Sequence, residues 1–396
     1  MYARLAFLGL AAYTSTLANC ALLGSHGAKS LQEPLLAQAH PHRSVSPALF
    51  AELEELARIV DISYCVGGSL NGIQKPFKCL SRCAEFPHFE LVDAWETGRL
   101  LSDSCGYIAL DHDKRRLIVA FRGTYSIANT VVDLSTIPQE YEPYPGSGDG
   151  DDQQSERDVP QRKCDNCTVH MGFNSAWSHT RDRIMPILRT ESSLYPDYQL
   201  HLVGHSLGGA VAALAGLDLL ARGHDPVITT FGEPRTGNAA LAKFLDQQFG
   251  LHDDHDANDL MRKYRRVTHV DDPVPLLPLS EWGYAMHAGE IFITKSALSP
   301  DIGDLELCDG DNDQRCIAGQ DSTTAGDAHG ARDRKRDLMA SVEDELHDVR
   351  HEPWGIPSRY KLWQLFFAHR DYFWRLGLCV PHGGLWDGGK QFEASE

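Results

Sequence analysis

A chain of 396 residues with 42% hydrophobic content is long enough for one large or two medium domains and apolar enough for a substantial core. Its 37 lysines and arginines face 55 aspartates and glutamates, a formal net charge of -18. That balance opposes nucleic acid and anionic membranes as partners and suits neutral substrates or neutral lipid interfaces.

Met1 to Ala18 carries one basic residue, Arg4, an interrupted apolar stretch and small residues around Thr16 and Ala18. This is the pattern of a cleaved secretory signal over residues 1–20, with a buried first helix as the alternative. No later run reaches the length of a membrane span, so an exported protein without a transmembrane segment is expected, and ten cysteines suit an oxidising destination. Residues 21–45, rich in Ser, Pro, His and Gln, read as a leader or flexible arm. Residues 46–396 then read as one α/β domain with polar insertions near 146–163 and 317–355.

Ser46-Pro47 has the form of an N-cap followed by a first-turn proline, and Leu49, Leu53, Leu56, Ile59 and Val60 continue on one helical face towards Tyr64-Cys65. Tyr107 to Leu110 and Arg116 to Phe121 form a hairpin across Asp111 to Lys114. Arg122-Gly123-Thr124 comes next. Within Tyr125 to Leu134, Ile127, Val131 and Leu134 share a helical face, which fits a plain surface helix or a mobile lid. Gly146 to Asp158 is acidic and glycine-rich, and Asn166-Cys167-Thr168 is the only N-glycosylation sequon.

Leu200 to Val203, then Gly204-His205-Ser206-Leu207-Gly208, then an Ala/Leu-rich run to Ala221, read as strand, tight turn and helix. This is a nucleophile elbow: glycines two positions either side of Ser206 permit the sharp bend, and the helix that starts after it directs unpaired N–H groups at a developing oxyanion. Val227 to Phe231 and Arg265 to Val270 read as further parallel strands. Asp309, Asp311 and Asp313 imitate a calcium loop, but Gln314 stands where glycine is required and the bidentate acid is missing, so no metal is expected. Lys335-Arg336, in the second insertion, is a candidate processing site.

A serine hydroxyl needs a histidine base and an acid that orients it, and in α/β-hydrolases these occur in the order Ser, acid, His. Asp272 ends an apolar strand, with Asp271 as its competitor. The later histidines are His287, His329, His347, His351, His369 and His382, of which His369 sits in the most apolar setting, Leu362 to Phe373.

Together these residues resemble the fungal class 3 lipase family, which includes triacylglycerol lipases and feruloyl esterases of the α/β-hydrolase fold. The resemblance rests on Phe121-Arg122-Gly123-Thr124, His170-x-Gly172-Phe173, Gly204 to Gly209, Phe231 to Asn238, Asp272 to Pro275, Tyr284 to Glu290 and His369 to Phe373, in the family's order. It implies a mostly parallel central sheet flanked by helices. It also implies Ser206 as nucleophile, Asp272 as orienting acid, His369 as general base, and an oxyanion hole from Leu207 and Thr124. Residues Ile127, Val131, Asp133 and Leu134 then belong to a lid, with Asp133 steadying the Thr124 hydroxyl when it opens. The pairings implied are Cys65 with Cys379, Cys79 with Cys83, Cys164 with Cys167, and Cys308 with Cys316. The first contributes on the order of 4 to 5 kcal/mol in the chain-entropy model. The resemblance leaves the disulfide partner of Cys105 unassigned once Cys20 leaves with the signal.

Many triacylglycerol lipases of the family carry a lid tryptophan where this chain has Asn129-Thr130, which argues against strong interfacial activation. The expectation is a secreted serine carboxylic-ester hydrolase, a lipase acting on acylglycerols, needing no metal or organic cofactor. A feruloyl or short-chain esterase is the alternative within enzymes, and a catalytically silent lipid-binding protein the alternative outside them.

Overall fold

The computed structural model describes residues 43–67, 72–98, 104–124, 138–144, 163–251, 259–321 and 367–380. All of them fall in the unit His42–Glu396. Helix α1, Pro47–Ile62, starts as its sequence requires: the Ser46 hydroxyl accepts the Leu49 N–H at 3.2 Å, a cap that contributes about 1 kcal/mol. Leu49, Leu53, Leu56 and Val60 are buried along its inner face. Just before the helix, Arg43, Ser44 and Val45 already run beside the last strand of the sheet: Arg43 O accepts the Leu307 N–H, Ser44 bridges Glu306, and Val45 is buried.

The strands of the main sheet are β1 (Phe89–Glu96), β2 (Cys105–Asp111), β3 (Arg116–Phe121), β6 (Gln199–His205), β7 (Val227–Phe231), β9 (Tyr264–His269), β11 (Glu290–Ile293) and β12 (Leu305–Leu307). They lie in the order β1-β2-β3-β6-β7-β9-β11-β12. From β3 to β11 every pairing is parallel, and the two margins are antiparallel. The expected hairpin is β2–β3. Strand β1 was not anticipated; its pairing with β2 shifts register between Leu91 and Asp93, which breaks the alternation that reveals a strand in sequence.

A second sheet, also unanticipated, is built from β4 (Pro138–Glu140), β5 (Thr168–His170), β8 (Gly237–Asn238) and β10 (Tyr284–Ala285) in the order β10-β8-β5-β4.

Alternate residues of the central strands enter two cores. Ile108, Leu110, Leu117, Val119, Leu200 and Leu202 pack under α2 (Met171–Leu194), α3 (Leu207–Ala221) and α4 (Ala239–Phe249). Tyr107, Ala109, Ile118, Ala120 and Val203 face α1 and the C-terminal segment around Tyr372 and Phe373. The sheet is therefore covered on both sides, as parallel strands require. Parallel register brings Phe121 beside Gly204, His205 beside Phe231, and Phe231 beside Val267. The loops beginning at Arg122, Ser206, Gly232 and Val270 consequently leave the sheet along one edge, where an open α/β sheet presents its site.

At the start of the second polar stretch, Ile317 and Ala318 are buried, and the Ile317 N–H donates to Glu290 Oε1 at 3.2 Å. The polar residues on its C-terminal side hid this short anchored turn, Ile317–Gln320, in the sequence. The leader expected over 21–45 ends in ordered chain, since Arg43, Ser44 and Val45 lie beside β12; the expected signal, residues 21–42, the lid residues Ile127, Val131, Asp133 and Leu134, and Lys335-Arg336 lie outside the described residues.

Candidate active site

Ser206 joins β6 to α3 with φ 58° and ψ -131°, a conformation that side chains resist and that the surrounding bonds enforce. Its N–H donates to Phe231 O at 2.9 Å, and its carbonyl accepts the Gly209 N–H at 2.8 Å. The two flanking glycines are a steric necessity. A Cβ on Gly204 would stand 2.2 Å from Gly208 O, and one on Gly208 would stand 2.3 Å from Phe121 O. Leu207 is the first residue of α3, so helix geometry leaves its N–H without an intrahelical acceptor. Helix α3 is buried on nearly every face, which keeps its N-terminus from shifting.

Asp272 is fully buried just beyond β9. Its carboxylate receives His369 Nδ1 at 3.1 Å on Oδ1 and 3.0 Å on Oδ2, the Val274 N–H at 3.0 Å and the Tyr372 hydroxyl at 2.5 Å. Burial alone would raise this carboxyl, but His369, Tyr372 and the Val274 N–H together hold it below the usual range. Asp271, its competitor, turns away: it has φ 67° and accepts from Ser296 Oγ at 2.8 Å on the exposed side.

Nε2 of His369, Oγ of Ser206 and Oγ1 of Thr124 are buried atoms without a hydrogen-bond partner among the described residues. The structure therefore holds the Asp272–His369 pair closed but forms no Ser206–His369 hydrogen bond. Catalytic hydrogen bonds commonly tighten only when substrate is bound. Gly232, with φ 59°, lies against the pair; a Cβ there would meet Tyr372 OH at 2.6 Å, His369 Cε1 at 2.9 Å and Asp272 Oδ2 at 3.0 Å. On the other side, a Cβ on Gly123 would meet Tyr64 OH at 2.5 Å and Ser206 Cβ at 2.7 Å, which brings the Arg122-Gly123-Thr124 turn against the nucleophile.

His287, weighed as a base in the sequence, is structural. Its Nε2 meets Glu233 Oε1 at 3.1 Å and its Nδ1 faces Ala288 O at 2.8 Å. Glu233 also accepts from Thr230 Oγ1 at 2.6 Å and Tyr264 OH at 2.8 Å. Burial would raise the Glu233 carboxyl, yet His287, Thr230 and Arg266 keep it low. His329, His347, His351 and His382 lie outside the described residues.

Two site residues escaped the sequence reading. Tyr372 is three positions beyond His369, within the same motif, and that spacing is the signal for it. His205, directly before the nucleophile, stacks on His369 with ring centroids 4.7 Å apart and an interplanar angle of 30°.

Disulfides join Cys65 to Cys379, Cys79 to Cys83, Cys164 to Cys167 and Cys308 to Cys316, and Cys105 is buried outside these four disulfides. Glu290, Cys308 and Cys316 converge, but the disulfide consumes both thiols, so this group is no metal site. Asn166 is exposed in a turn with φ 60°. Among the described residues no helix is long and apolar enough to cross a membrane.

The family model for Lipase (class 3) matches residues 118–282. The chain is 51% identical to "Secreted mono- and diacylglycerol lipase 2" of Gibberella zeae over 95% of its length and 92% of that protein's. It is 50% identical to "Lipase A" of Sodiomyces alcalophilus over 89% of its length and 87% of that protein's. Its fold is similar to the crystal structure of Lip2 lipase from Yarrowia lipolytica, with a TM-score of 0.65 and 29% identity, covering 86% of this chain and 98% of that one.

Proposed function

The chain belongs to the class 3 lipase family, and from that premise we propose that this secreted lipase cleaves mono- and diacylglycerol esters through Ser206, His369 and Asp272. Ser206 Oγ attacks the ester carbonyl carbon as its proton passes to His369 Nε2. Asp272, on the Nδ1 side, fixes the tautomer that leaves Nε2 free to accept, and its charge stabilises the imidazolium that forms. The oxygen that becomes negative accepts hydrogen bonds from the Leu207 N–H and from Thr124; each such donor contributes about 10²- to 10³-fold in rate. Collapse breaks the bond to the glycerol oxygen, which leaves with the proton from His369. Water then repeats the sequence on the acyl-enzyme, with His369 again as base.

The observation that carries this reading is the buried Asp272–His369 pair whose Nε2 has no partner among the described residues, and whose ring stacks on His205, the residue directly before the equally unpartnered Ser206 Oγ. The choice of mono- and diacylglycerols rests on the name of the Gibberella zeae relative, and the acidity of the chain agrees with a neutral substrate. The test compares fatty-acid release from mono-, di- and triacylglycerols and from soluble short-chain esters and feruloyl esters. Partial glycerides should react fastest, and Ser206→Ala should reduce release by about 10⁵-fold or more. A faster rate on triacylglycerols overturns the preference, a faster rate on soluble or feruloyl esters makes the chain an esterase, and undiminished release by Ser206→Ala overturns the mechanism.

A further inference from the structure

Behind the site runs a hydrogen-bonded chain that the steps of ester cleavage leave unused. The Gly123 N–H reaches the Tyr64 hydroxyl oxygen. That hydroxyl lies 2.5 Å from His205 Nδ1, and His205 Nε2 lies 2.7 Å from the backbone carbonyl oxygen of His369. Tyr64 and His205 are both fully or almost fully buried.

The proton positions are set by the partners. A carbonyl oxygen can only accept, so Nε2 of His205 carries the hydrogen. In a neutral imidazole Nδ1 is then bare and accepts the Tyr64 O–H, while the phenol oxygen receives the Gly123 N–H. Every donor in the chain meets an acceptor, and no other neutral assignment does this.

We propose that Tyr64 and His205 form a strut that positions the catalytic imidazole and holds His205 neutral, so that of the two stacked histidines only His369 can take the proton from Ser206. The inference rests on the assignment of Ser206 and His369 made above. The strut acts in two ways. It ties the oxyanion turn at Gly123 to the backbone of the base through the residue preceding the nucleophile, so the turn after β3, the elbow after β6 and the C-terminal segment that carries His369 share one brace. It also settles a competition: rings 4.7 Å apart in a dry site cannot both be cations without strong repulsion. Burial, then His369 and Arg370, push His205 well below the usual histidine range. The groups facing His205 are Tyr64, His369 with Asp272 behind it, Arg370, and Tyr372 edge-on at 5.9 Å.

The test uses the secreted, disulfide-bonded enzyme. Glutamine at position 205 can place an amide N–H near where Nε2 was, whereas asparagine reaches only to the Nδ1 side. His205→Gln should keep most of kcat. His205→Asn should lose about 10-fold or more in kcat with KM nearly unchanged, because positioning rather than binding is lost. Tyr64→Phe, which removes only the donor to Nδ1, should lower kcat and move the acid limb of kcat/KM to higher pH as His205 becomes able to protonate. Ring-nitrogen NMR of the histidine-labelled wild type, with His205 assigned from His205→Gln, should show an Nε2–H tautomer that does not titrate between about pH 5 and 8.

Titration of His205 in that range, or an Nδ1–H tautomer, overturns the strut, and this reading needs only the folded wild type. Unchanged kcat and acid limb in both His205→Asn and Tyr64→Phe overturn it as well. Ser206→Ala and His369→Ala run alongside separate the two ideas: if they retain hydrolysis the triad assignment fails, whereas if they are inactive and the strut variants behave as wild type only the strut fails.

Discussion

Tyr372 donates its hydroxyl to Asp272 Oδ2 at 2.5 Å, on the same buried carboxylate that receives His369 Nδ1 at 3.0 Å. Burial and the nearby Asp272 charge push the phenol well above the usual tyrosine range, so it remains a donor throughout the working range of the enzyme. Tyr372→Phe removes that donor at almost constant volume. Because the folded carboxyl of Asp272 titrates below its unfolded value, its stabilisation is present above about pH 4 and is lost as pH falls through the lower, folded value. Without Tyr372 the folded value rises, and acid unfolding should begin at a higher pH. The cost at neutral pH should be about 1.5 to 3 kcal/mol, the range for a hydrogen bond to a charged group, read from urea midpoints at a series of pH values.

Gly232→Ala should disable the site by steric force alone. The residue has φ 59°, where a Cβ is strained, and that atom would press on Tyr372, His369 and Asp272 together. We expect a stability loss of about 1 to 3 kcal/mol. The fall in kcat should be about 10²-fold, as for a displacement of about 1 Å at a reacting group. Thermal unfolding and steady-state kinetics on the same preparation separate the two effects, and a fully active alanine variant would contradict the contact.

The Thr124 hydroxyl is buried and without a partner among the described residues, as suits a donor awaiting a developing charge. Thr124→Val keeps the shape and removes the donor; kcat should fall by about 10²-fold with KM little altered. Thr124→Ser, which restores the hydroxyl, should recover much of that loss. Equal rates in the valine and threonine forms would leave the oxyanion to backbone N–H groups alone.

The legible parts of the fold were those where local chemistry and tertiary structure agree. Ser46-Pro47 capped α1, the glycines around Ser206 made the bend, and Asp272 sat in the turn just beyond β9. Other elements were hidden for physical reasons. Strands such as Gly237–Asn238 and Tyr284–Ala285 are two residues long and have no period to detect. Strand β1 is interrupted by its bulge. His205 could be read as a motif residue, but its partner Tyr64 is 141 positions away, and only folding brings the two within 2.5 Å. His287 looked like a candidate base because sequence shows a histidine without showing the Glu233 that occupies it.

The Cys65–Cys379 disulfide spans a sequence separation of 314 and fixes the segment beyond His369 to the end of α1. The same junction is held by polar contacts: the Gly377 N–H donates to Asp61 Oδ1 at 2.8 Å, and Arg370 Nη1 donates to the carbonyl oxygens of Leu376 at 3.1 Å and Gly377 at 2.6 Å. Replacing both cysteines by serine should therefore lower stability by about 4 to 5 kcal/mol, mainly by releasing the unfolded chain, while the polar contacts retain the native arrangement of the imidazole. The expected result is a urea midpoint well below that of the wild type, with kcat within about threefold at temperatures where the variant is folded. If kcat collapsed while the variant remained folded, the disulfide would be needed to place His369 and the polar contacts would be insufficient.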